Sequence, residues 1–328
     1  MENCTNENQT IFHILAFSTS KTGQCLLLTA VLLMYLMTIF GNMIITTLVC
    51  LVPHLHTPMY FLLGNLAITD VIYVSATLPM LIYILLTRDN RMSLSSCMAQ
   101  VFLFSMSAAG DIFVLTSMSY DRYVAICKPL EYSLIMSKDV CISMALCLWL
   151  ISAINAGMNV LVVSLLSFCP IQNFDHFFCE QKTLYTVTSS DTTSTNILLV
   201  FQDIVMATLP FVLIITSYVF IISAIMKIQS LNGRRKAFSS CSSHLFTVIM
   251  FFGPAIVLYG KPESEHSKEL DKLLSLLYTA VVPMLNPFVY TLRNKDIFNA
   301  IHYLIRMKHM LPKQRIKNMM LTPADRES

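Results

Sequence analysis

The sequence predicts an all-α membrane protein: a seven-transmembrane helix bundle with a short amphipathic membrane-surface helix after the last span. Three observations predict it. Of the 328 residues, 55% are hydrophobic and only 12% are charged, about half the charged share of an ordinary soluble domain. The apolar residues are gathered in seven blocks, each long enough for a bilayer core that takes roughly 20 helical residues to cross. The basic residues fall unevenly on the two sides those blocks define.

The blocks run from about 26 to 50, 59 to 85, 98 to 121, 140 to 166, 197 to 226, 238 to 260 and 271 to 292. The first is too long for a signal peptide and lacks both a basic leader and a small-residue cleavage pattern, so it is expected to stay in the mature protein. Short loops join the blocks, apart from one long segment at 167–196. A single helical domain follows, with three regions: residues 1–25 as a glycosylated outer tail, 26–292 as the bundle, and 293–328 as an inner helix and tail. After the last block, Ile297, Phe298, Ile301, Leu304 and Ile305 share one helical face, the pattern of a helix lying on a membrane. No cysteine follows Cys241, so that helix offers no palmitoylation site. There is neither an internal repeat nor a matched pair of broken helices.

With the N-terminus outside, 15 of the 22 Lys and Arg residues lie on the inner side, as the positive-inside rule requires. The only two Asn-x-Ser/Thr sequons, at Asn3 and Asn8, also lie in that outer tail. The net charge of +3 records the inner tail and points to a membrane surface or an acidic partner, with no nucleic-acid motif present.

An ionisable residue mid-span costs on the order of 2.5 to 3.5 kcal/mol, so each one needs a reason. Asp70 and Asp111 sit mid-span on neighbouring helices, Asn42 and Asn286 lie at similar depth, and Asp203 lies toward the outer third of the fifth span. A shared sodium ion or proton between Asp70 and Asp111 would remove the like-charge penalty; separate hydrogen bonding of each carboxyl is the alternative. Pro210, Pro254, Pro283 and Pro287 predict bends in the last three spans.

Cys97 opens the third span on the outer side and Cys179 lies in the long outer segment, so a bridge between them would pin that loop over the bundle mouth. Cys50, Cys127, Cys141, Cys147 and Cys241 read as reduced packing residues. No Cys/His spacing suits zinc, and Ser242, Ser243 and His244 are neighbours that point to different helix faces, so no catalytic dyad follows. His244 reads as a buried polar residue of the inner bundle with a switch role open. The chain is not expected to be an enzyme.

Several stretches together resemble one family. They are Gly41-Asn42, PMYFLLGNLAITD from Pro58 to Asp70, MSYDRYVAICKPL from Met118 to Leu130, Ser217-Tyr218, KAFSSCSSHL from Lys236 to Leu245 and PMLNPFVYTLRNK from Pro283 to Lys295. These are similar to the olfactory receptors of the rhodopsin-like G-protein-coupled receptor superfamily, over nearly the whole chain. Asp121-Arg122-Tyr123 and Asn286-Pro287-x-x-Tyr290 alone would indicate only the superfamily; the longer forms are far more restrictive.

The resemblance implies a plasma-membrane odorant receptor coupled to a stimulatory, olfactory-type heterotrimeric G protein that raises cyclic AMP. It implies that Arg122 is held by Asp121 at rest and meets the G protein on activation, that Tyr218 and Tyr290 support the active state, and that Cys97 pairs with Cys179. Asp70 and Asp111 match a sodium-type allosteric site, with no other cofactor implied. Odorant contacts would fall in the outer half of the bundle, at Phe104, Ser105, Ala108, Ala109, Gln202, Asp203, Met206, Phe252, Ala255, Tyr259 and Thr279. That largely apolar set suits a small, poorly soluble ligand with one or two polar anchors.

Three departures from the family pattern stand out. Ser189 replaces a usual loop cysteine, which leaves Cys169 either to pair with Cys4 or to stay free; Phe252 replaces a tyrosine; Glu131 replaces a histidine. Two other readings remain open at this point: an amine receptor of the same superfamily using Asp203 as counter-ion, and a cation or proton transporter using Asp70 and Asp111.

Overall fold

A computed structural model describes residues 11–17, 20–169, 171–189, 193–259, 268–293 and 297–301. Seven helices among them are long and apolar enough to cross a membrane. Helix α1 spans Lys21–Leu51, α2 Pro58–Thr87, α3 Leu94–Cys127 and α4 Lys138–Ser164. Helix α5 runs through Thr193–Asp203, a π turn at Ile204–Thr208 and Leu209–Met226. Helix α6 is Leu231–Tyr259, and α7 runs through Lys268–Leu276, a π turn at Leu277–Val281 and Val282–Arg293.

Most helices extend a few residues past their apolar blocks because local chemistry sets their ends. Ser20, Ser93 and Ser137 each accept a backbone N–H of the first turn of α1, α3 and α4, satisfying a donor that the helix itself leaves over. Pro58 opens α2, where its missing N–H costs nothing, and Arg88 closes it in the left-handed region at φ 61°.

Helix α3 is the central element, touching α2, α4, α5 and α6. Large apolar side chains such as Phe40, Leu86, Leu146 and Phe201 remain exposed, while Asn42, Thr69, Asp70, Asp111 and His244 are buried. This inversion of a soluble protein's pattern is what a lipid-facing bundle requires, because polar groups can be satisfied only inside it. Buried hydroxyls turn back on their own helices: Thr38, Thr77 and Ser107 each donate to the carbonyl four residues earlier.

Two glycines mark where helices come closest. A Cβ on Gly41 would lie 2.9 Å from Pro287 of α7, and one on Gly110 would lie 2.9 Å from the Thr69 methyl of α2. The Gly41-Asn42 pair thereby lies where α1 meets Pro287 of α7, and Gly41 leaves room for the proline ring.

The proline expectations acquire a specific form. Pro210 lacks the N–H that would reach the carbonyl of Met206, and Met206 lies in the π turn of α5. Pro283 likewise lacks the N–H for Thr279, which lies in the π turn of α7. In both helices the wide turn sits where a proline has removed the ladder bond. Pro254 and Pro287 lie within continuous α-helix, as does Pro79 of α2, which the sequence reading did not single out.

One end of the bundle carries a small sheet that the all-α expectation did not contain. Strand β1 (Ile11–Ile14) pairs antiparallel with β2 (Arg91–Ser93) and parallel with β3 (Ile171–Phe174), giving the order β2-β1-β3. Phe12 and Ile14 point inward and are fully buried, and the Phe12 ring meets Phe168 and Phe174 edge-on. A four-residue strand in a chain of long apolar runs gives no alternation that can be read from sequence. This end is called the sheet end, and the opposite one the Arg122 end. Residues 297–301 are helical, with Ile297 and Ala300 buried against the core at the Arg122 end and Phe298 exposed. Leu304 and Ile305 of the expected surface helix, and the sequons at Asn3 and Asn8, lie outside the described residues.

Candidate functional site: a polar track between two ends of the bundle

At the sheet end the long loop is fastened over the bundle. Cys97 of α3 is bonded to Cys179, as the resemblance implied. One α3 turn along, Gln100 reinforces the bond with two hydrogen bonds: its Nε2 donates to Ala76 O of α2 (2.6 Å), and its Oε1 accepts from Cys179 N (2.7 Å). Lys272 of α7 is fully buried, donating to Ala16 O (2.6 Å) and Glu269 (3.1 Å) and paired with Asp175, so one ammonium ties the N-terminal tail, the loop and α7. Beneath it, His176 stacks on Phe177 with its Nε2 3.3 Å from Ser275 Oγ and 3.8 Å from Glu180 Oε1. Burial pushes the His176 imidazole below its ordinary value against the pull of Glu180.

None of Gln100, Lys272, His176 or Glu180 was singled out in the sequence. Their partners lie on other elements and no local spacing announces them. Cys169 is disulfide-bonded to a partner outside the described residues. Cys50, Cys127, Cys141, Cys147 and Cys241 are free, as expected.

The expected odorant contacts separate into distinct groups. Phe104 is half-buried, stacked on Tyr73 (5.4 Å) and against Phe178 of the loop (4.9 Å), and Ala108 packs beside Tyr73 and Tyr278. Ser105 and Ala109 are buried on α3. Gln202 is turned to α4, its Nε2 donating to Asn155 and Asn159 at 2.7 Å each. The adjacent Asp203 therefore faces elsewhere and is exposed. Met206 lies in the π turn of α5, and Thr279 in that of α7 with its hydroxyl donating to Ser275 O (2.7 Å). Phe252 is buried against Phe211 and Phe251, Ala255 is half-buried one turn on, and the side chain of Tyr259 lies outside the described residues.

Midway along the bundle, Asn286 of α7 donates from Nδ2 to both oxygens of Asp70 on α2 (3.1 and 3.0 Å). Asn42 does a different task from the one its depth suggested. Its Nδ2 donates to Thr38 O (3.1 Å) and to Pro283 O (3.2 Å), the carbonyl that Pro287 leaves without a ladder donor. Asp70 and Asp111 are close enough for their charges to interact, and Asp111 Oδ1 is buried with no hydrogen-bond partner among the described residues. Two carboxylates and an unsatisfied oxygen fit a monovalent cation or a proton between them.

At the Arg122 end, Asp121 is buried, accepts from the Tyr132 hydroxyl at Oδ1 (2.8 Å) and lies 3.6 Å from Arg122 Nε through Oδ2. Burial and the Asp121 charge both push the Tyr132 phenol up. Tyr123 stacks on Tyr120 and meets Phe220 of α5 edge-on. His244 of α6 is fully buried and joins three helices: its Nε2 lies 3.0 Å from Leu115 O of α3 and its Nδ1 2.7 Å from the Tyr218 hydroxyl of α5. A carbonyl can only accept, so Nε2 carries the proton and Nδ1 accepts from Tyr218. Tyr290 is buried on α7, in the same core cluster as Tyr218. Trp149 of α4, absent from the sequence reading, donates to Asn65 Oδ1 of α2 (2.9 Å) within the restrictive PMYFLLGNL stretch.

The chain matches the family model described as "Olfactory receptor" over residues 31–308. It is 42% identical over 302 residues to olfactory receptor 2A7 of Mus musculus, covering 92% of this chain and 97% of the relative. Olfactory receptor 1E16 of the same organism is 40% identical, covering 90% and 96%, and human olfactory receptor 1C1 is 39% identical, covering 90% and 94%. The chain is a multi-pass membrane receptor, not an enzyme, and belongs to the olfactory receptor family.

Proposed function

We propose that this receptor is a ligand-operated population switch. A small, largely apolar odorant enters the sheet-end half between α3, α5, α6 and α7. It favours a conformer in which α6 moves outward at the Arg122 end and admits a stimulatory, olfactory-type G protein, raising cyclic AMP. In this reading the sheet end is extracellular, with Asn3 and Asn8 as glycan acceptors, and the Arg122 end is cytoplasmic at the plasma membrane. The uneven division of Lys and Arg supports that orientation.

The observation that carries the reading is the His244 clasp. One ring holds α6 to both α3 and α5, two turns from Arg122, so the same two contacts that close this end are those that outward movement of α6 must break. Asp121 holds Arg122 in the closed form. Asp70 and Asp111 would hold a sodium ion as an allosteric modulator, which would supply positive charge between the two carboxylates and leave Asn286 bound to Asp70.

The test is a cyclic-AMP reporter assay across a chemically diverse odorant panel, with Arg122→Ala beside the wild type and surface expression measured for both. At least one odorant should raise cyclic AMP in the wild type and none in Arg122→Ala. Equal signalling in the two would end the role given to Arg122; silence of a well-expressed wild type would end the proposed coupling.

A further inference from the structure

A cleft of about 360 Å³ opens between α5 and α6 at the Arg122 end, and of its lining only Tyr218 enters the receptor mechanism above. Its floor is Ile221, Ile225 and Cys241, all buried, and its mouth is flanked by Ile222 and Phe238, both exposed. A buried apolar floor with an exposed apolar rim places the opening on the outside of the bundle, toward lipid. The cleft is not apolar throughout, because Arg235 lies at its end.

Arg235 has Arg234 and Lys236 on either side, and Lys227 caps the last turn of α5 across the loop. Arg235, Lys236 and Lys227 are exposed and Arg234 is half-buried. No Asp or Glu occurs between Ile204 and Pro262, so the stretch contributes no carboxylate of its own to neutralise them. Arg235 alone of these lines the cleft, and it places one guanidinium at the end of an apolar, lipid-facing slot, with three further basic residues next to it in sequence or at the adjoining end of α5. Basic pockets between membrane helices on the cytoplasmic side recognise anionic headgroups on this basis.

We propose that this cleft is a binding site for an anionic phospholipid. One acyl chain lies along Ile221, Ile222 and Phe238, and the phosphate-bearing headgroup sits at Arg235. The bound chain touches Tyr218, which lines the same cleft and donates to His244. Occupancy is thereby linked to the clasp between α5 and α6.

The experiment uses the full-length receptor in nanodiscs, so the answer does not depend on which way the chain faces in a cell. Phosphatidylserine carrying a photoactivatable diazirine on its acyl chain is compared with the same probe on phosphatidylcholine, in a phosphatidylcholine bilayer. Labelled peptides are then quantified by mass spectrometry. The serine probe should label peptides containing 218–225 and 238–245 at least about fivefold more than the choline probe. Arg235→Gln should reduce that excess to the choline level, and Ile222→Trp, which fills the slot without changing charge, should reduce both. Millimolar inorganic phosphate should leave the labelling unchanged.

Equal labelling by the two probes, or serine labelling that survives Arg235→Gln, means ordinary annular lipid and overturns the proposal. Competition by inorganic phosphate means an anion site without a lipid and overturns it as well. If Arg235→Gln keeps its labelling but loses G-protein coupling, the basic rim serves the protein partner and the lipid site fails. Arg235 is exposed, so its replacement is compatible with folding; recovery of monodisperse receptor checks this directly.

Discussion

The two ends of this bundle are closed by different chemistry. The sheet end is held by covalent bonds and charge: Cys97 to Cys179, Gln100 beside it, and a buried Lys272 among Asp175, Glu269 and Ala16 O. The core of the Arg122 end is held by neutral hydrogen bonds through one ring, His244 to Leu115 O and Tyr218. A disulfide leaves no second arrangement on the time scale of signalling, whereas two neutral hydrogen bonds contribute only about 1 kcal/mol each. One end is therefore fastened far more strongly than the other, which is the asymmetry that the proposed switch requires.

The sharpest way to break this contrast is at the disulfide. The bridge joins residues 82 apart in sequence, and closing a loop of that size constrains the unfolded chain by about 4 to 5 kcal/mol in the chain-entropy model. Cys97→Ser and Cys179→Ser should each abolish surface delivery, measured by antibody staining of intact cells, and the double variant should be no worse than either. Normal delivery of both single variants would mean the sheet end is closed by Lys272 and Gln100 alone.

Between the ends, Gly41 tests how closely α1 must pack against Pro287 of α7. Any side chain there starts 2.9 Å from the proline ring, so Gly41→Leu should destabilise the receptor by about 1 to 3 kcal/mol through overpacking. A fall in the thermal midpoint of the purified receptor checks it. An unchanged midpoint would show that α7 shifts freely at Pro287.

The clasp comes next in size. His244→Phe keeps the ring volume and removes both hydrogen bonds, a loss of about 2 kcal/mol from the closed state and a population shift of roughly thirtyfold. Basal cyclic AMP should rise without odorant while surface delivery stays normal. A basal level equal to the wild type's would mean that Asp121 and Arg122 keep this end closed without the clasp.

The legible part of the molecule follows the same division. Seven spans could be read because each is a contiguous run whose length is set by the bilayer. Asp121, Arg122, Asp70, Asn286 and Pro287 could be read because a charge, amide or proline inside such a run is conspicuous. What could not be read depends on distant partners: β1 gains its strand from β2 and β3, some 80 and 160 residues on, and Lys272 is buried among Asp175 and Ala16 O, which lie about 100 and 260 residues away in the chain. Asn42 shows the limit within a span. Its depth was evident, but its bond to the carbonyl left by Pro287 was not, because that carbonyl belongs to Pro283 of a different helix. Gln202 is similar, since only the packed structure shows it committed to Asn155 and Asn159 rather than turned toward a ligand.

The smallest expected effect tests whether the sheet end is as fixed as its bonds suggest. His176 is buried against Phe177 and Phe178, facing Ser275 and Glu180, with Asp175 and Lys272 close by. Burial lowers its pKa, opposed by Glu180 and assisted by Lys272. In the opened loop the imidazole takes its proton near its ordinary value of about 6.5, while in the closed loop it does so only at lower pH. Protons thus favour the open form, and closure is undiminished above about pH 6.5. Below that it weakens by up to about 1.4 kcal/mol per pH unit until the closed-state value is reached. Hydrogen exchange of residues 171–179, corrected for intrinsic rate, should be faster at pH 5.5 than at pH 7.5, by at most about tenfold. His176→Gln should remove the difference. Slower exchange at the lower pH would mean that a charged His176 binds Glu180 more strongly than burial penalises it, and the sheet end would then tighten with acid.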